Sequence, residues 1–327
     1  MWRSAALLLS LLALPALAEP IEVRSQKIPL TQGVQDAPRL DALAYRGGLE
    51  LTSPDRRFGG LSGLVVSADG ARLLAISDTG LWLEATLTYD DDGNLSGLSG
   101  AEITPLRADS GAVLSGKRDA DAEGLVALSD GGYLVSFERR HRVLHYGAPG
   151  ANGAPVWMPD ALASVDGNGG LEALAMLGDG HLLALCEDEF VSDGRLGGWL
   201  VDGETAEAVT WPGDGYFKPT AASVLPDGRV LVLERGYTAI AGPKGRLMLI
   251  DDVDDSALSG REIARFQPPI QVDNYEGLAS LEMAGETRLF IVSDDNFNPL
   301  QRTLLLSFAL TDQLPPCDCD RRRGGAR

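Results

Sequence analysis

Apolar and polar positions follow the same order five times along the chain. Each segment starts with a short apolar run, turns, and resumes as a second apolar run that ends in polar or acidic residues. The segments are SGLVVSADGARLLAISDTG from Ser62, EGLVALSDGGYLVSFERR from Glu123, EALAMLGDGHLLALCEDE from Glu172, TAASVLPDGRVLVLERGY from Thr220 and EGLASLEMAGETRLFIVSDD from Glu276. Short apolar runs bounded by turn residues are typical of buried strands, so each segment predicts a β-hairpin.

The turn in four of the five hairpins is Asp-Gly, a dipeptide that favours positive φ at both central positions of a tight hairpin. We therefore expect the four aspartates to be turn residues and not catalytic groups. They are Asp69, Asp130, Asp179 and Asp227.

Further strand-like segments follow the hairpins, for example RVLHYG and APVWMP after the second one. Four strands per unit, with unit starts 48 to 61 residues apart, are typical of a β-propeller. We predict an all-β fold, a β-propeller of four-stranded blades in a single domain over residues 19–312. The last unit lacks an outer strand, which Tyr45–Thr52 would supply to close the ring. The hairpins predict five blades, and the extra segment IEVRSQKIPL leaves a sixth open.

The hairpins also predict where acidic side chains gather. The first strand of a hairpin starts beside the end of the second, and the first strand of each blade lines the central channel. Ten positions would therefore surround one mouth: Ser62, Glu123, Glu172, Thr220 and Glu276 on the first strands, and Asp78, Glu138, Glu187, Glu234 and Asp294 on the second. Eight of these ten are carboxylates. Further carboxylate and amide side chains adjoin them: Asp121, Asp188, Asp273, Asp295, Asn168, Asn274 and Asn296.

So many carboxylates in one mouth would repel one another unless a cation neutralised them. Oxygen ligands without Cys or His suit Ca²⁺ best, and Mg²⁺ or Mn²⁺ less well. The nearby basic residues Arg139, Arg235, Lys218 and Arg302 could instead pair with the acids or hold an anionic substrate. A purely structural role, in which the acids bond to neighbouring blades, is the alternative for each residue.

Composition and net charge restrict the classes of molecule that the protein is expected to bind. The 47 acidic and 28 basic residues give a net charge of −19, which argues against binding to nucleic acid and to anionic membrane surfaces. Residues 1–18 have the apolar run and small-residue exit of a secretory signal peptide, so we expect a periplasmic or secreted protein without stable membrane insertion. We expect a monomer, and a disordered tail over residues 313–327.

Several blocks resemble the phytase-like family, named for the esterase-like activity of phytase. They are FGGLSGLVVSADG with SDTG, DAEGL with SFERRHRV, NGGLEAL with CED, KPTAASVLPDGRVLVLERGY, and DNYEGLASL with SDDNFNPLQRTLLLSF. The similarity covers nearly the whole mature chain in order. It implies a β-propeller fold and hydrolysis of phosphate or other esters.

On this resemblance we expect an exported, Ca²⁺-dependent hydrolase of a small anionic ester. The expected metal ligands are Asp78, Glu123, Glu172, Glu276, Asp294 and Asp295. The expected catalytic groups are a general base among Glu138, Glu187 and Glu234, with Arg139 and Arg235 stabilising negative charge, while Lys218, Arg302 and Asn274 bind substrate. Two alternatives stay open: a non-catalytic propeller that binds a ligand or protein, and a lactonase-like propeller with one central Ca²⁺.

Overall fold

The computed structural model describes residues 18–32, 38–191, 194–238, 240, 242–250, 253 and 256–311. Strands are numbered in chain order, and four short ones precede the first hairpin: β1 (Glu19–Pro20), β2 (Arg24–Lys27), β3 (Arg39–Leu40) and β4 (Leu43–Thr52). Within the described residues, the helices are limited to a turn of α-helix, α1 (Lys117–Ala120), and a 3-10 helix (Asp160–Ser164). No described helix has the length and apolar character needed to cross a membrane.

The remaining strands form five antiparallel blades. Blade 1 contains β5 (Leu61–Val66), β6 (Arg72–Ser77), β7 (Leu81–Tyr89) and β8 (Leu95–Pro105). Blade 2 contains β9 (Ala122–Ala127), β10 (Tyr133–Phe137), β11 (Arg142–Tyr146) and β12 (Ala154–Val156). Blade 3 contains β13 (Leu171–Met176), β14 (Leu182–Phe190), β15 (Leu196–Asp202) and β16 (Thr205–Trp211). Blade 4 contains β17 (Lys218–Val224), β18 (Val230–Thr238), β19 (Gly242–Ile250) and β20 (Gly260–Phe266). Blade 5 contains β21 (Asn274–Met283), β22 (Glu286–Asp294) and β23 (Thr303–Leu310), completed by β4.

The ring closes through the N-terminal segment. Strand β4 pairs antiparallel with β23, so the predicted closing strand is confirmed and begins two residues earlier than expected. The segment that left a sixth blade open forms β2, which adds to the outer edge of blade 5, while β1 adds to the edge of blade 1. The described residues therefore form five blades, and residues 19–27 extend two outer edges through β1 and β2 instead of building a sixth sheet.

Apolar side chains seal the blades against one another. The inner strands β5, β9, β13, β17 and β21 lie side by side around the channel, and the first contacts the last. Leu64 and Leu73 of blade 1 belong to one buried cluster with Phe290 and Val292 of blade 5. Burying each such side chain contributes about 1.5–3 kcal/mol, so the closing interface is held mainly by the hydrophobic effect.

Every inner strand carries a β-bulge at its mouth end. In blades 1, 3, 4 and 5 one extra residue stands opposite the second strand, and blade 2 has a matching irregularity at Glu123 and Gly124. The extra residues in the other four blades are Ser62, Glu172, Thr220 and Glu276. A bulge redirects the side chain that it carries. The repeated acidic position of the sequence is therefore a bulge position in the structure.

The Asp-Gly turns differ in detail from the expectation. Glycine alone has positive φ, for example 73° at Gly70, whereas Asp69 does not. The Asp69 carboxylate accepts the backbone N–H of Ala71 at 3.0 Å, and Asp179 and Asp227 accept the N–H two residues on in the same way. The predicted role as turn residues is confirmed. Three of the turns use an aspartate side chain and one left-handed glycine, whereas the turn after Asp130 has two glycines with positive φ, Gly131 and Gly132.

The residue after each bulge is small because the neighbouring inner strand approaches it closely. A Cβ added to Gly124 would lie 2.6 Å from the backbone oxygen of Glu172 in blade 3. Gly63 and Gly277 are equally confined, and alanine fills the position in blades 3 and 4.

Substitution of this confined glycine tests the packing of the ring. We expect Gly124→Ala to lower the free energy of unfolding by about 1–3 kcal/mol, because a backbone oxygen must move to admit the methyl group. Gly178→Ala is the matched control, since a Cβ there meets nothing within 4 Å. Urea denaturation measures both variants, and equal stabilities would contradict the close approach.

Candidate functional site

The five bulges divide into two chemical kinds. Ser62 donates its hydroxyl to the carbonyl of Ala122 at 2.5 Å, and Thr220 donates to the carbonyl of Tyr275 at 2.9 Å. These two hydroxyls therefore tie a blade to the next one. The other three bulges carry glutamates, Glu123, Glu172 and Glu276, whose carboxylates interact electrostatically with one another in the channel mouth. The bulged residue therefore forms a hydrogen bond to the next blade in blades 1 and 4, and it places a carboxylate in the mouth in blades 2, 3 and 5.

Five carboxylates form two overlapping triads. In the first, Asp121, Glu123 and Glu138 offer oxygens that all lie within 4.8 Å of one another. In the second, Glu138, Glu172 and Glu187 do the same, so Glu138 belongs to both. All of these residues are buried except Glu123, which is partly exposed. Sets of three carboxylate oxygens at this spacing could hold a metal ion, and oxygen-only ligands favour a hard divalent cation.

The chain neutralises the triads only in part. Asp121 accepts Lys117 at 2.9 Å and Arg139 at 2.6 Å, and Glu187 contacts Arg235 at 2.8 Å. The other three members have no described cation within 4.0 Å of their carboxylates: Glu123, Glu138 and Glu172. The shared carboxylate of Glu138 is therefore one of those that lack a counter-ion within the described residues.

Burial and mutual repulsion disfavour the charged forms of these acids. Burial, reinforced by neighbouring carboxylates, raises the pKa of Glu123 and of Glu172 well above the ordinary value. Burial also raises the pKa of Glu138 to about 7, opposed by the N–H that Gly170 donates to it at 2.8 Å. The pKa of Glu276 is likewise well above its ordinary value because of burial, although Arg235 opposes the shift. Protons or a cation must therefore stabilise the site near neutral pH.

Two aspartates adjoin the triads. Asp78 binds Lys117 through Oδ2 at 2.5 Å, while its buried Oδ1 has no hydrogen-bond partner among the described residues. Asp294 accepts the N–H of Asn296 at 2.6 Å, and burial raises its pKa to about 7. Lys117 links Asp78 to the first triad, because the same ammonium contacts Asp121. Both aspartates therefore belong to the same electrostatic system without being members of a triad.

Asp295 and Glu234 have other contacts. Asp295 Oδ1 accepts the N–H groups of Gly60 at 3.1 Å and Phe297 at 3.0 Å, and Oδ2 accepts the Thr303 hydroxyl at 3.1 Å. It therefore holds the turn that follows β22. Glu234 is fully buried, accepts the Trp211 indole N–H at 2.7 Å and pairs with Arg246. The carboxylate of Glu234 thus belongs to a buried pair within blades 3 and 4, not to either triad.

The predicted substrate-binding groups lie at the mouth but already have protein partners. Lys218 contacts Asp188 at 2.6 Å, and Asn274 donates to Glu276 at 2.8 Å. Arg302 contacts Asp273 at 3.5 Å and donates to the side chain of Gln271 at 3.0 Å. The pairing leaves their role in substrate binding a prediction.

Lys117 completes the site without having been selected as a candidate from the hairpin pattern, and Asp121, expected only as a neighbour of the acidic ring, is a member of a triad. They lie in the connection before blade 2, outside the repeated segment, where the pattern has no matching positions. The signal that could have found Lys117 is its spacing, since it precedes Asp121 by four residues on α1 and contacts it. Its side chain is 55% exposed, so the ammonium faces both the acids and solvent.

Comparison with known proteins supplies a family. A family model described as phytase-like, esterase-like activity of phytase, matches residues 56–297. No curated protein matches the chain.

Among solved structures, a gluconolactonase from Xanthomonas campestris is 14% identical, with 90% of this chain and 99% of that chain covered and a TM-score of 0.43. A protein of unknown function from Dyadobacter fermentans is 14% identical, with 90% and 94% covered and a TM-score of 0.45. A virginiamycin B lyase from Staphylococcus aureus is 12% identical, with 84% and 82% covered and a TM-score of 0.40. These likenesses carry no argument about function.

The raised pKa values predict how stability depends on pH when no metal is present. Between pH 4.5 and 7 the folded chain keeps a proton on Glu138 that the unfolded chain has lost, so the free energy of unfolding falls as pH rises through this window. Each such group contributes up to about 1.4 kcal/mol per pH unit. Urea denaturation in a chelator at several pH values measures the slope.

Glu138→Gln is the matched variant, because the neutral amide cannot titrate. We expect its stability to fall less steeply over the same pH range. A metal-free wild-type protein that becomes more stable from pH 5 to 7, or a variant with an unchanged slope, would contradict the electrostatic description.

Proposed function

Because the chain belongs to the phytase-like family, we propose that it is a hydrolase of anionic esters that depends on a divalent cation, with Ca²⁺ as the expected ion. The observation that carries this proposal is the pair of triads that share Glu138. Three of their five carboxylates have no described cation within 4.0 Å, so a cation from solution has a chemical reason to bind there. The apolar N-terminal segment supports export as part of the same proposal.

The donor set fits this kind of ion. Asp121, Glu123 and Glu138 would hold one cation, and Glu138, Glu172 and Glu187 a second. All the donors are carboxylate oxygens, which suit Ca²⁺ and, less well, Mg²⁺ or Mn²⁺. When bound, such a cation polarises the ester and lowers the pKa of an attacking water.

Two basic side chains at the mouth, Arg139 and Lys117, could bind the anionic group of a substrate. Arg139 and Lys117 both bind Asp121, yet their side chains remain 42% and 55% exposed. A guanidinium and an ammonium in this position can donate further hydrogen bonds toward solvent, where the negative group of a substrate would enter. Arg235 is more enclosed and joins Glu187 to Glu276, so its main contribution is to fix the orientation of these two acids.

A general base is most effective when its pKa lies near the working pH, and a carboxylate that binds a cation is less able to accept a proton. Of the three bases expected from sequence, Glu138 and Glu187 belong to a triad and Glu234 is held by Trp211 and Arg246. Asp294 lies outside both triads, is oriented by the Asn296 N–H, and has its pKa raised to about 7 by burial. We assign the role of proton acceptor from the attacking water to Asp294.

Loss of the shared ligand tests the proposal. We expect the purified wild type to retain about two Ca²⁺ ions per chain, one for each triad. Glu138→Gln should lose most of this calcium and reduce kcat/KM for an anionic ester by about 100-fold or more, because both triads lose a donor. Metal analysis and a panel of phosphate and carboxylate esters and lactones measure the two effects.

The control is Glu282→Gln, which removes the same charge from an exposed position far along β21 from the mouth. This variant should keep both calcium and activity. Equal calcium content and equal activity in wild type and Glu138→Gln would contradict the proposal. Calcium binding without hydrolysis of any tested ester would instead favour a binding propeller, and hydrolysis confined to neutral lactones a lactonase-like enzyme.

A further inference from the structure

A cleft of about 580 Å³ opens beside the mouth. It lies between the β18–β19 hairpin of blade 4 and the turn that follows β22 in blade 5. Arg235, Asp273 and Asn274 line it, and the first of these also contacts Glu187 of the second triad. The cleft is therefore continuous with the acidic site, and its volume is typical of pockets for small organic ligands.

Two walls of the cleft carry large apolar side chains that the fold leaves in solvent. Tyr237 on β18 is 67% exposed, and Leu300 in the turn of blade 5 is 89% exposed. Pro243 on β19 adds a further apolar surface. A concave surface lined by apolar side chains with a few polar groups beside it is typical of small-molecule sites.

The cleft contains one lysine beside the carboxylate of Asp273 and the paired guanidinium of Arg235. Lys244 lines it, lies 6.0 Å from the centroid of the Tyr216 ring, and has no carboxylate within ion-pair distance among the described residues. In a chain of net charge −19, this ammonium offsets part of the negative potential beside the mouth.

We propose that this cleft receives an apolar arm of the substrate, which places the substrate in the class of anionic esters with an alkyl or aryl leaving group. The inference rests on the proposed function, because it assigns the leaving-group side of the same site. In the reaction, the oxygen of water bonds to phosphorus, the bond from phosphorus to the ester oxygen breaks, and the alcohol leaves with a proton. The hydrocarbon of that alcohol lies against Tyr237 and Leu300.

Two phosphate monoesters with similar leaving-group chemistry test the assignment. Octyl phosphate and ethyl phosphate differ by six methylene groups, so a difference in kcat/KM reports contact with the hydrocarbon. We expect the calcium-loaded wild type to favour octyl phosphate by about tenfold or more. The double variant Tyr237→Ser with Leu300→Ser should lose this preference and keep its activity on ethyl phosphate.

Phe190→Ser is the matched control, because Phe190 is 48% exposed on the hairpin of blade 3 and does not line the cleft. It should keep the preference for the longer chain. Thermal melting of all three proteins checks that the fold is intact. A wild type that hydrolyses both esters equally well, or a double variant that keeps the wild-type preference, would overturn the proposal.

Binding of phosphonates separates failure of the cleft from failure of the catalytic proposal. Octylphosphonate and ethylphosphonate cannot be hydrolysed, and calorimetry with calcium present and below the micellar concentration gives their affinities. Tighter binding of the octyl compound that is lost in the double variant supports the cleft even if no ester is hydrolysed. Equal affinities of the wild type for the two phosphonates, or an octyl advantage that survives in the double variant, would overturn it and leave the exposed side chains as a contact for a protein partner.

Discussion

Repulsion between buried carboxylates is the constraint on which the rest of this site depends. The five-bladed ring brings the start of each inner strand and the end of each second strand to one mouth, and most of these positions are acidic. The ring itself is held by apolar packing between blades, which fixes the acids close together whatever their charge. The carboxylates cannot relax by moving apart, so their charge must be balanced by protons, by basic side chains or by a bound cation.

The basic side chains neutralise only the carboxylates at the two ends of the site. Lys117 and Arg139 contact Asp121, and Arg235 contacts Glu187 and Glu276. The shared carboxylate of Glu138 is left to the N–H of Gly170 and to whatever cation the solution supplies. The ion pairs therefore fix the positions of Asp121, Glu187 and Glu276, whereas Glu138 has no basic partner within ion-pair distance among the described residues.

Much of the fold could be predicted because its signals are local. The Asp-Gly turns and the apolar runs specify hairpins, and the missing outer strand of the last unit indicates closure by the N-terminal segment. The bulges were not predicted, because one extra residue in a strand leaves no distinct pattern when the neighbouring residue is simply small, as at Gly124 and Ala173. For that reason the sequence indicated which acids converge but not which of them form the two triads.

There is a second reason why the repeat pattern could not predict the partner of each acid. Glu234 and Glu187 occupy equivalent positions in the sequence, yet Trp211 and Arg246 hold the first while Arg235 holds the second. These partners come from different strands, and their approach depends on three-dimensional packing. Lys117 lies between repeats, so a search for equivalent positions does not find it, and Asp121 could be placed beside the ring but not assigned to a triad.

The central claim is that the two triads bind divalent cations through a shared Glu138. Diffraction from crystals grown with calcium, measured at a wavelength where calcium scatters anomalously, tests it most directly. We predict two anomalous peaks in the mouth, each about 2.3–2.6 Å from an oxygen of Glu138. A map with no peak in the mouth, at a calcium concentration that loads the protein in solution, would contradict the claim.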